Sequence, residues 1–207
     1  AAGLLLPVYV VSDMFGLYAY RHAFDRRVLA IVLPGAVAGI AFGWATARIV
    51  PETAVTALIG LIGVAFALNL LLRHKVKAEP TRAEVAPGLF WGAVTGFTSF
   101  VSHSGGPPYQ VYTLPLGMPK AVFAGTSTIA FAVINAVKLV PYWQLGQLSA
   151  GNLKHAALLF VPSVVAVFAG VRLVQWLPER LFFRLVTWSL LLISLKLVWD
   201  GARGLMG

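Results

Sequence analysis

The sequence has no cysteine and few charged residues. Without cysteine the chain has no disulfide, no thiolate metal site and no thiol chemistry. Only 11% of its 207 residues are charged, whereas soluble domains average about 25%. Acidic residues are the scarcest, with 7 Asp and Glu against 16 Lys and Arg and a net charge of +9. In a soluble protein this charge would suggest nucleic-acid binding, but here the basic residues lie in short loops between apolar runs, where they set membrane topology.

Long stretches of the chain carry no charge at all. Residues 28–47 and 53–72 are each 20 residues long without Asp, Glu, Lys or Arg, and residues 85–119 extend such a run to 35. About 20 apolar residues cross the ~30 Å hydrocarbon core of a membrane as a helix. The runs also lack the polar face that an outer helix of a soluble bundle needs. The sequence therefore predicts an all-α polytopic membrane protein with membrane lipid around it.

One part of the chain does not fit a simple span. We predict spans at residues 3–20, 28–49, 53–72, 121–140, 155–175 and 181–200, and an irregular segment at 87–118. That segment has 32 residues, whereas two full spans need about 40. It is therefore predicted to be a broken or re-entrant helical hairpin with its tip near 102–108. Non-helical backbone at membrane depth is tolerated only beside protein or a water-filled cavity, so the tip should line a cavity.

Basic residues are divided unevenly between the two predicted sides, if each span crosses once and residues 87–118 enter and return. Eleven lie on one side: Arg21, Arg26, Arg27, Arg73, Lys75, Lys77, Arg82, Lys120, Arg172, Arg180 and Arg184. Three lie on the other: Arg48, Lys154 and Arg203. Basic loops favour the cytoplasm, so loops 21–27 and 73–86 should face it. Lys196, inside the last span, is expected to snorkel to the membrane surface.

The chain contains a weak internal repeat. When residues 11–20 are aligned with 133–142, Asp13 matches Asn135; farther along, Pro34 matches Pro162. The two copies would run in opposite directions, which is typical of secondary transporters. The alternative is that apolar helices align by chance.

The repeat predicts three regions. Residues 1–72 are the remainder of the first repeat with three spans, 73–86 a basic cytoplasmic loop, and 87–207 the second repeat, a re-entrant hairpin plus three spans. The partner of the hairpin 87–118 should precede residue 1. We therefore expect an N-terminal hairpin to be missing from this chain.

Residues 102–110, here named the Gly-Pro segment, read SHSGGPPYQ. Adjacent glycines and prolines interrupt a helix, and glycine-rich backbone at a helix start exposes N–H groups that attract anions. An imidazole beside them can exchange a proton near neutral pH. We predict an anion-binding site with His103 as a proton carrier; the alternative is a tight structural turn. The predicted ligands are Ser102, His103, Ser104, Gly105, Gly106, Tyr109 and Gln110.

The next span offers a second set of polar residues. Thr126 and Ser127 lie near its start and could donate to the same anion, although small residues also favour helix packing in membranes. Asn135 and Lys138 share one helix face. A lysine within a span is costly and usually functional, so Lys138 is predicted to offset the anion's charge and Asn135 to orient the anion. The alternative is that Lys138 snorkels to the outer end.

Asp13 is the one acidic residue buried within a predicted span. It falls on the helix face that matches Asn135 in the other copy of the repeat, so it could pair with Lys138 or relay protons. We predict that His103 or Asp13 carries the coupled proton. The alternative for Asp13 is a hydrogen bond that only holds two helices together.

The sequence gives little support for a metal site, a cofactor site or a hydrolase. The sequence has no metal-ligand spacing of His and acidic residues and no nucleotide-binding motif, so we expect no metal and no cofactor. An intramembrane hydrolase using Ser102, His103 and Ser104 is disfavoured because adjacent residues rarely face each other in a catalytic pair. A non-transporting scaffold subunit is the other alternative, and it predicts that Lys138→Met leaves fold and function intact.

Two stretches carry a family resemblance. GFTSFVSHSGGPPYQVYTLP and FAGTSTIAFAVINAVKLVPYWQLGQL resemble the second half of the TauE/SafE family of sulfite and organosulfonate exporters. LLLPVYVVSDMFGLYAYRHAFDRR resembles the middle of the first half. The first half of the family normally opens with a Gly-rich hairpin of its own, which this sequence lacks.

The resemblance implies a permease of the bacterial inner (plasma) membrane with two homologous halves of opposite orientation. It implies a small sulfur-containing anion as substrate, such as sulfite or an organosulfonate, moved by proton-coupled export as the halves rock about the site. Another small anion, or uptake, is the alternative. The expected partners are the small anion, membrane lipid and, as an option, a second copy in a homodimer, but no nucleic acid.

Overall fold

The computed structural model describes residues 2–47, 49–72, 81–146 and 150–206, and only the backbone of residues 2–4, 150–155 and 206. These parts of the chain form eight α-helices and one 3-10 helix, and contain no strand. The helices are α1 (Ala2–Tyr20), α2 (Arg26–Thr46), α3 (Glu52–Leu72), α4 (Val85–Ser102), α5 (Gly106–Thr113), the 3-10 helix (Leu114–Leu116), α6 (Lys120–Gln144), α7 (Ala150–Trp176) and α8 (Glu179–Met206).

The predicted class, an all-α polytopic membrane protein, is confirmed. Among the described residues, α2, α3, α4, α6, α7 and α8 are long and apolar enough to cross a membrane. The side chains described for α1 form a shorter apolar helix, Leu5–Tyr20. α4 by itself has the length of a span, which is longer than the first arm of a re-entrant hairpin was expected to be. Apolar side chains on the outer faces, such as Leu61, Leu158 and Leu192, are exposed, as expected for contact with lipid.

The chain divides into two compact units. Unit 1 contains residues 1–29 and 119–178, and unit 2 contains residues 30–118 and 179–207. Each unit takes helices from both predicted repeats, so the compact units do not coincide with the predicted division at 72 and 87. That division stays a prediction. Part of the predicted basic loop, residues 73–80, lies outside the described residues, as do Arg48 and the side chain of Lys154.

In unit 1, α1 packs against α6 and α7. Asp13 meets Asn135, and a Cβ added at Gly16 would touch the Thr128 methyl group. As the residue number rises along α1 it falls along α6, so the two helices are antiparallel. This agrees with the opposite directions expected for the two copies of the repeat, which itself stays a prediction.

Several predicted cytoplasmic residues gather at one end of unit 1. The loop after α1 meets the start of α6, where the Asp25 N–H donates to Thr126 Oγ1 at 2.8 Å. The Lys120 ammonium donates to the carbonyls of Gln175 and Leu177, at 3.0 and 2.5 Å. These carbonyls close the C-terminal end of α7, where a cation is favoured by the helix dipole. The loop 21–27 and Lys120 therefore lie at the same end, as predicted; that this end faces the cytoplasm stays a prediction.

Glycines bring α2 and α4 together in unit 2. Both helices contain the G-x-x-x-G spacing that lets membrane helices approach at the backbone. A Cβ added to any of four glycines would clash with a backbone carbonyl of the other helix. The pairs are Gly35 with Leu89, Gly39 with Ala93, Gly92 with Val32 and Gly96 with Ala36. This interface therefore fixes where α4, and with it the Gly-Pro segment, is held.

Small residues also bring α3 and α8 together in unit 2. The close pairs are Gly60 with Val198, Gly63 with Ser194, Gly201 with Ala57 and Gly204 with Thr53. Their order makes the two helices antiparallel. Gly63 also faces the ring of Pro107, so α5 packs beside the α3–α8 contact at Gly63 and Ser194.

The segment from α4 to the 3-10 helix doubles back within unit 2. The Tyr112 hydroxyl donates to the Glu84 carbonyl at 3.0 Å, and the Thr81 N–H donates to the Pro115 carbonyl at 3.1 Å. The end of the segment therefore returns to the beginning of α4. This is the helical hairpin predicted at 87–118; re-entry from one membrane face stays a prediction.

Candidate functional site

The helix break of the hairpin lies at residues 103–105, between α4 and α5. His103 has φ 53° and ψ 21°, the left-handed conformation, and ends α4. The N–H of Ser104 donates to the Thr98 carbonyl at 3.2 Å, which closes the end of the helix. Glycine is the usual residue at such a position, and another residue costs about 1–2 kcal/mol there. A histidine in this conformation is therefore a strained choice.

The break is shorter than the sequence analysis expected. The tip was predicted at 102–108, yet α5 already begins at Gly106, with Pro107 and Pro108 in its first turn. Proline is tolerated there because the first N–H groups of a helix have no partner within it. The same prolines have no N–H to offer an anion. Of the backbone N–H groups in this glycine-rich segment that were expected to attract an anion, only those of Gly105 and Gly106 are left.

The side chains of the Gly-Pro segment differ in what they can donate. Ser102 Oγ donates to the Thr98 carbonyl at 3.2 Å, and Ser104 Oγ donates to the Ser102 carbonyl at 3.0 Å. Each hydroxyl proton is thus bound to a backbone carbonyl and is not available to an anion. Gln110 Oε1 is buried and has no hydrogen-bond partner. Rotating the amide by 180° exchanges its oxygen and nitrogen, so Gln110 can present a donor or an acceptor at this place.

The Gly-Pro segment lines a cavity of about 390 Å³ in unit 2, here named the Gly-Pro cavity. Its predicted ligands on the wall are Ser102, His103, Ser104, Gly106 and Gln110. Gly105 is buried, and Tyr109 is only 2% exposed. That the tip lines a cavity agrees with the expectation from its position at membrane depth.

Two charged residues of α8 share this cavity and were not predicted to do so. Lys196 and Asp200 line its wall and form an ion pair with each other. Lys196 had been expected only to snorkel. Their spacing of four residues within a predicted span was the signal in the sequence, because charges at membrane depth are rare and usually paired.

A second polar group lies in unit 1, on α1 and α6. Asn135 Nδ2 donates to Asp13 Oδ2 at 2.8 Å, so the two residues that the repeat matched are in direct contact. The Lys138 side chain is 1% exposed and interacts electrostatically with the Asp13 carboxylate. Lys138 is therefore a buried cation with a half-buried acidic partner on another helix. A lysine that snorkels would expose its ammonium group at the membrane surface, so the burial of Lys138 argues against that alternative.

Asp13 also faces a second cavity of about 390 Å³, formed by α1, α6 and α7. Its polar wall comprises Ser12, Asp13, Tyr20, Ser127 and Thr128. Ser127 Oγ donates to the Phe123 carbonyl at 2.7 Å, one turn back. The predicted ligand Ser127 thus lines the same cavity as the predicted proton carrier Asp13.

Thr126 has structural partners on both sides. Its hydroxyl donates to the Val122 carbonyl at 2.7 Å and accepts from the Asp25 N–H at 2.8 Å. The residue is completely buried. It joins α6 to the loop after α1, and its predicted part in anion binding stays a prediction. Across the described part of the chain, no group of three or more His and acidic residues could hold a metal ion.

Comparison with known proteins gives one match. The family model described as sulfite exporter TauE/SafE matches residues 1–197. None of the curated proteins and none of the solved structures matches the chain. The family match covers nearly all of the sequence, including the broken hairpin, the Asp13–Asn135 pair and the cavity-lining residue Lys196. The chain therefore belongs to the TauE/SafE family of sulfite exporters.

Proposed function

We propose that this protein is a secondary transporter that exports sulfite or a small organosulfonate across the bacterial plasma membrane, coupled to protons. The observation that carries the proposal is the Gly-Pro cavity, where a helix is broken beside His103 and Gln110. Broken helices at membrane depth are the common substrate sites of secondary transporters. The cavity's volume of about 390 Å³ suits a small-molecule ligand.

The proposed roles follow the chemistry of each group. His103 and Gln110 contact the anion, and His103 exchanges a proton because imidazole titrates near neutral pH. Asp13, Asn135 and Lys138 form a buried charged network, which membrane proteins rarely keep without a function. We assign Asp13 as the second proton carrier. Lys138 offsets charge in this network, and Asn135 holds the Asp13 carboxylate in place.

A transporter fits the geometry better than an enzyme. The hydroxyl protons of Ser102 and Ser104 go to backbone carbonyls, so neither is donated to an imidazole base. Nucleophilic catalysis by serine requires such a base. Membrane lipid surrounds the protein in this proposal, the substrate is its small-molecule partner, and a homodimer remains an option.

The test is sulfite flux in liposomes containing the purified protein, driven by an imposed pH gradient. We expect flux that follows the gradient and falls at least tenfold in His103→Ala. His22→Ala is the matched control, because His22 is an exposed histidine in the loop after α1. If the liposomes transport none of sulfite, sulfoacetate and taurine, the proposed substrate class is rejected. Sulfite flux that ignores the pH gradient would reject proton coupling.

A further inference from the structure

Several groups of the Gly-Pro cavity cannot donate a hydrogen bond to an anion. The hydroxyl protons of Ser102 and Ser104 are used by backbone carbonyls, and Pro107 and Pro108 have no N–H. The C-terminal end of α4 also points its carbonyl groups toward the break, and a helix C-terminus carries partial negative charge. A positive charge from another part of the cavity wall would therefore strengthen the binding of a sulfur oxyanion here.

Lys196 supplies a positive charge on that wall. Among the described residues that line the cavity, Lys196 is the only lysine or arginine. The Lys196 side chain is 73% exposed, and it both lines the cavity and pairs with Asp200. A long flexible lysine with three donors is suited to an oxyanion.

Asp200 pairs with the Lys196 ammonium group. The two residues are one helical turn apart on α8 and form an ion pair. A carboxylate and a sulfur oxyanion offer the same kind of acceptor to an ammonium group. The bound anion and Asp200 would therefore compete for Lys196, and an exposed ion pair is weak enough to be displaced by an anion.

We infer that Lys196 is the cation that binds the anionic substrate in the Gly-Pro cavity, and that Asp200 competes with that substrate for the Lys196 ammonium group. This inference rests on the proposed function, because it names the residue that recognises the charge of the proposed anion. It adds Lys196 and Asp200 to a site that the sequence analysis built without them.

The experiment measures initial sulfite flux against sulfite concentration in liposomes. The variants are Lys196→Gln, Lys196→Arg and Asp200→Asn, with Arg203→Gln as a control for charge loss on the same helix. We expect Lys196→Gln to raise the KM for sulfite about tenfold or more, since a charged hydrogen bond is lost. Lys196→Arg should stay within about threefold of wild type, because the positive charge is kept.

Asp200→Asn distinguishes competition from a structural ion pair. Competition predicts that Asp200→Asn lowers the KM about threefold or more, since the ammonium group is released for the anion. A purely structural pair predicts that Asp200→Asn and Lys196→Gln change the KM in the same direction, with lower thermal stability in both. That result would overturn the inference, as would an unchanged KM in Lys196→Gln.

Binding measured without transport separates this inference from the proposed function. Sulfite should raise the thermal-unfolding midpoint of the detergent-solubilised wild type, and this rise should vanish in Lys196→Gln. Binding that depends on Lys196 without any flux would reject the transporter and support the anion site. Flux and binding that do not depend on Lys196 would support the transporter and reject the site. A wild type that neither binds nor moves sulfite would overturn both.

Discussion

His103 combines a strained backbone with the one imidazole of the Gly-Pro segment. Its φ of 53° lies in the left-handed region, where glycine has no steric penalty. We expect His103→Gly to raise the thermal-unfolding midpoint by about 2 °C or more, because the strain is removed. Proton-coupled sulfite flux should fall at least tenfold, because the imidazole is lost.

The control for this prediction is His103→Asn. Asparagine tolerates the left-handed conformation better than most residues but does not titrate. It should therefore reduce flux as the glycine variant does, with a smaller gain in stability. A glycine variant that is less stable than wild type and transports at the wild-type rate would contradict the prediction.

In unit 1 the buried Lys138 ammonium group has the half-buried Asp13 carboxylate as its electrostatic partner. Lys138→Met leaves the Asp13 carboxylate without its cationic partner, whereas Asn135 still donates to it. We expect the single variant to lose about 2 kcal/mol or more of stability, because breaking a buried pair leaves one charge uncompensated. Thermal unfolding in detergent measures this loss.

The double variant Lys138→Met with Asp13→Asn provides the matched control. It removes both charges, so it should recover most of the stability lost in the single variant. Flux should stay low in both, since the proposed proton carrier is absent or perturbed. A single variant with wild-type stability and flux would instead support the scaffold alternative, in which these residues are not needed.

At the scale of helices, the α2–α4 interface depends on the absence of side chains. A Cβ at Gly39 would overlap the Ala93 carbonyl, so Gly39→Leu should separate the two helices and displace the Gly-Pro segment. We expect a fall in the thermal-unfolding midpoint of about 5 °C or more and loss of flux. Gly170→Ala on α7 is the control, because a Cβ there meets nothing within 4 Å. A Gly39→Leu protein with the wild-type unfolding midpoint and flux would show that α2 and α4 do not pack at the backbone.

Sequence patterns located most of the helices but not all of their limits. Uncharged runs of span length identified α2 and α3, and mostly apolar stretches interrupted by a few charged residues identified α6, α7 and α8. The start of α5 was placed too late, since Pro107 and Pro108 were treated as helix breakers rather than as first-turn residues. The sequence alone does not distinguish these two roles, because they depend on where the preceding helix ends.

At the scale of the whole molecule, the positive-inside distribution gives a testable topology. The native chain has no cysteine, so single cysteines can be labelled without background. Arg26 is exposed at the predicted cytoplasmic end of unit 1, and Gln144 is exposed at the end of α6. We expect a membrane-impermeant maleimide to label Gln144→Cys in intact cells and Arg26→Cys only after the membrane is opened. The reverse pattern would invert the proposed topology and the predicted sidedness of export.

Composition alone determined the class of this protein, and the distribution of basic residues predicts which side its loops face. These follow from transfer of each residue between water and lipid, which depends little on its neighbours. The sequence also identified the Gly-Pro segment and the Asp13, Asn135 and Lys138 residues as unusual, because polar groups at membrane depth are costly.

Only the tertiary structure decided which residues share a site. It brought Lys196 and Asp200 to the cavity of the Gly-Pro segment, and it paired Asn135 with Asp13 across 122 positions of sequence. It also showed that the hydroxyl groups of Ser102 and Ser104 donate to backbone carbonyls within the hairpin. Such pairings depend on how helices far apart in sequence pack against one another, and here that packing is set by close approaches at glycines.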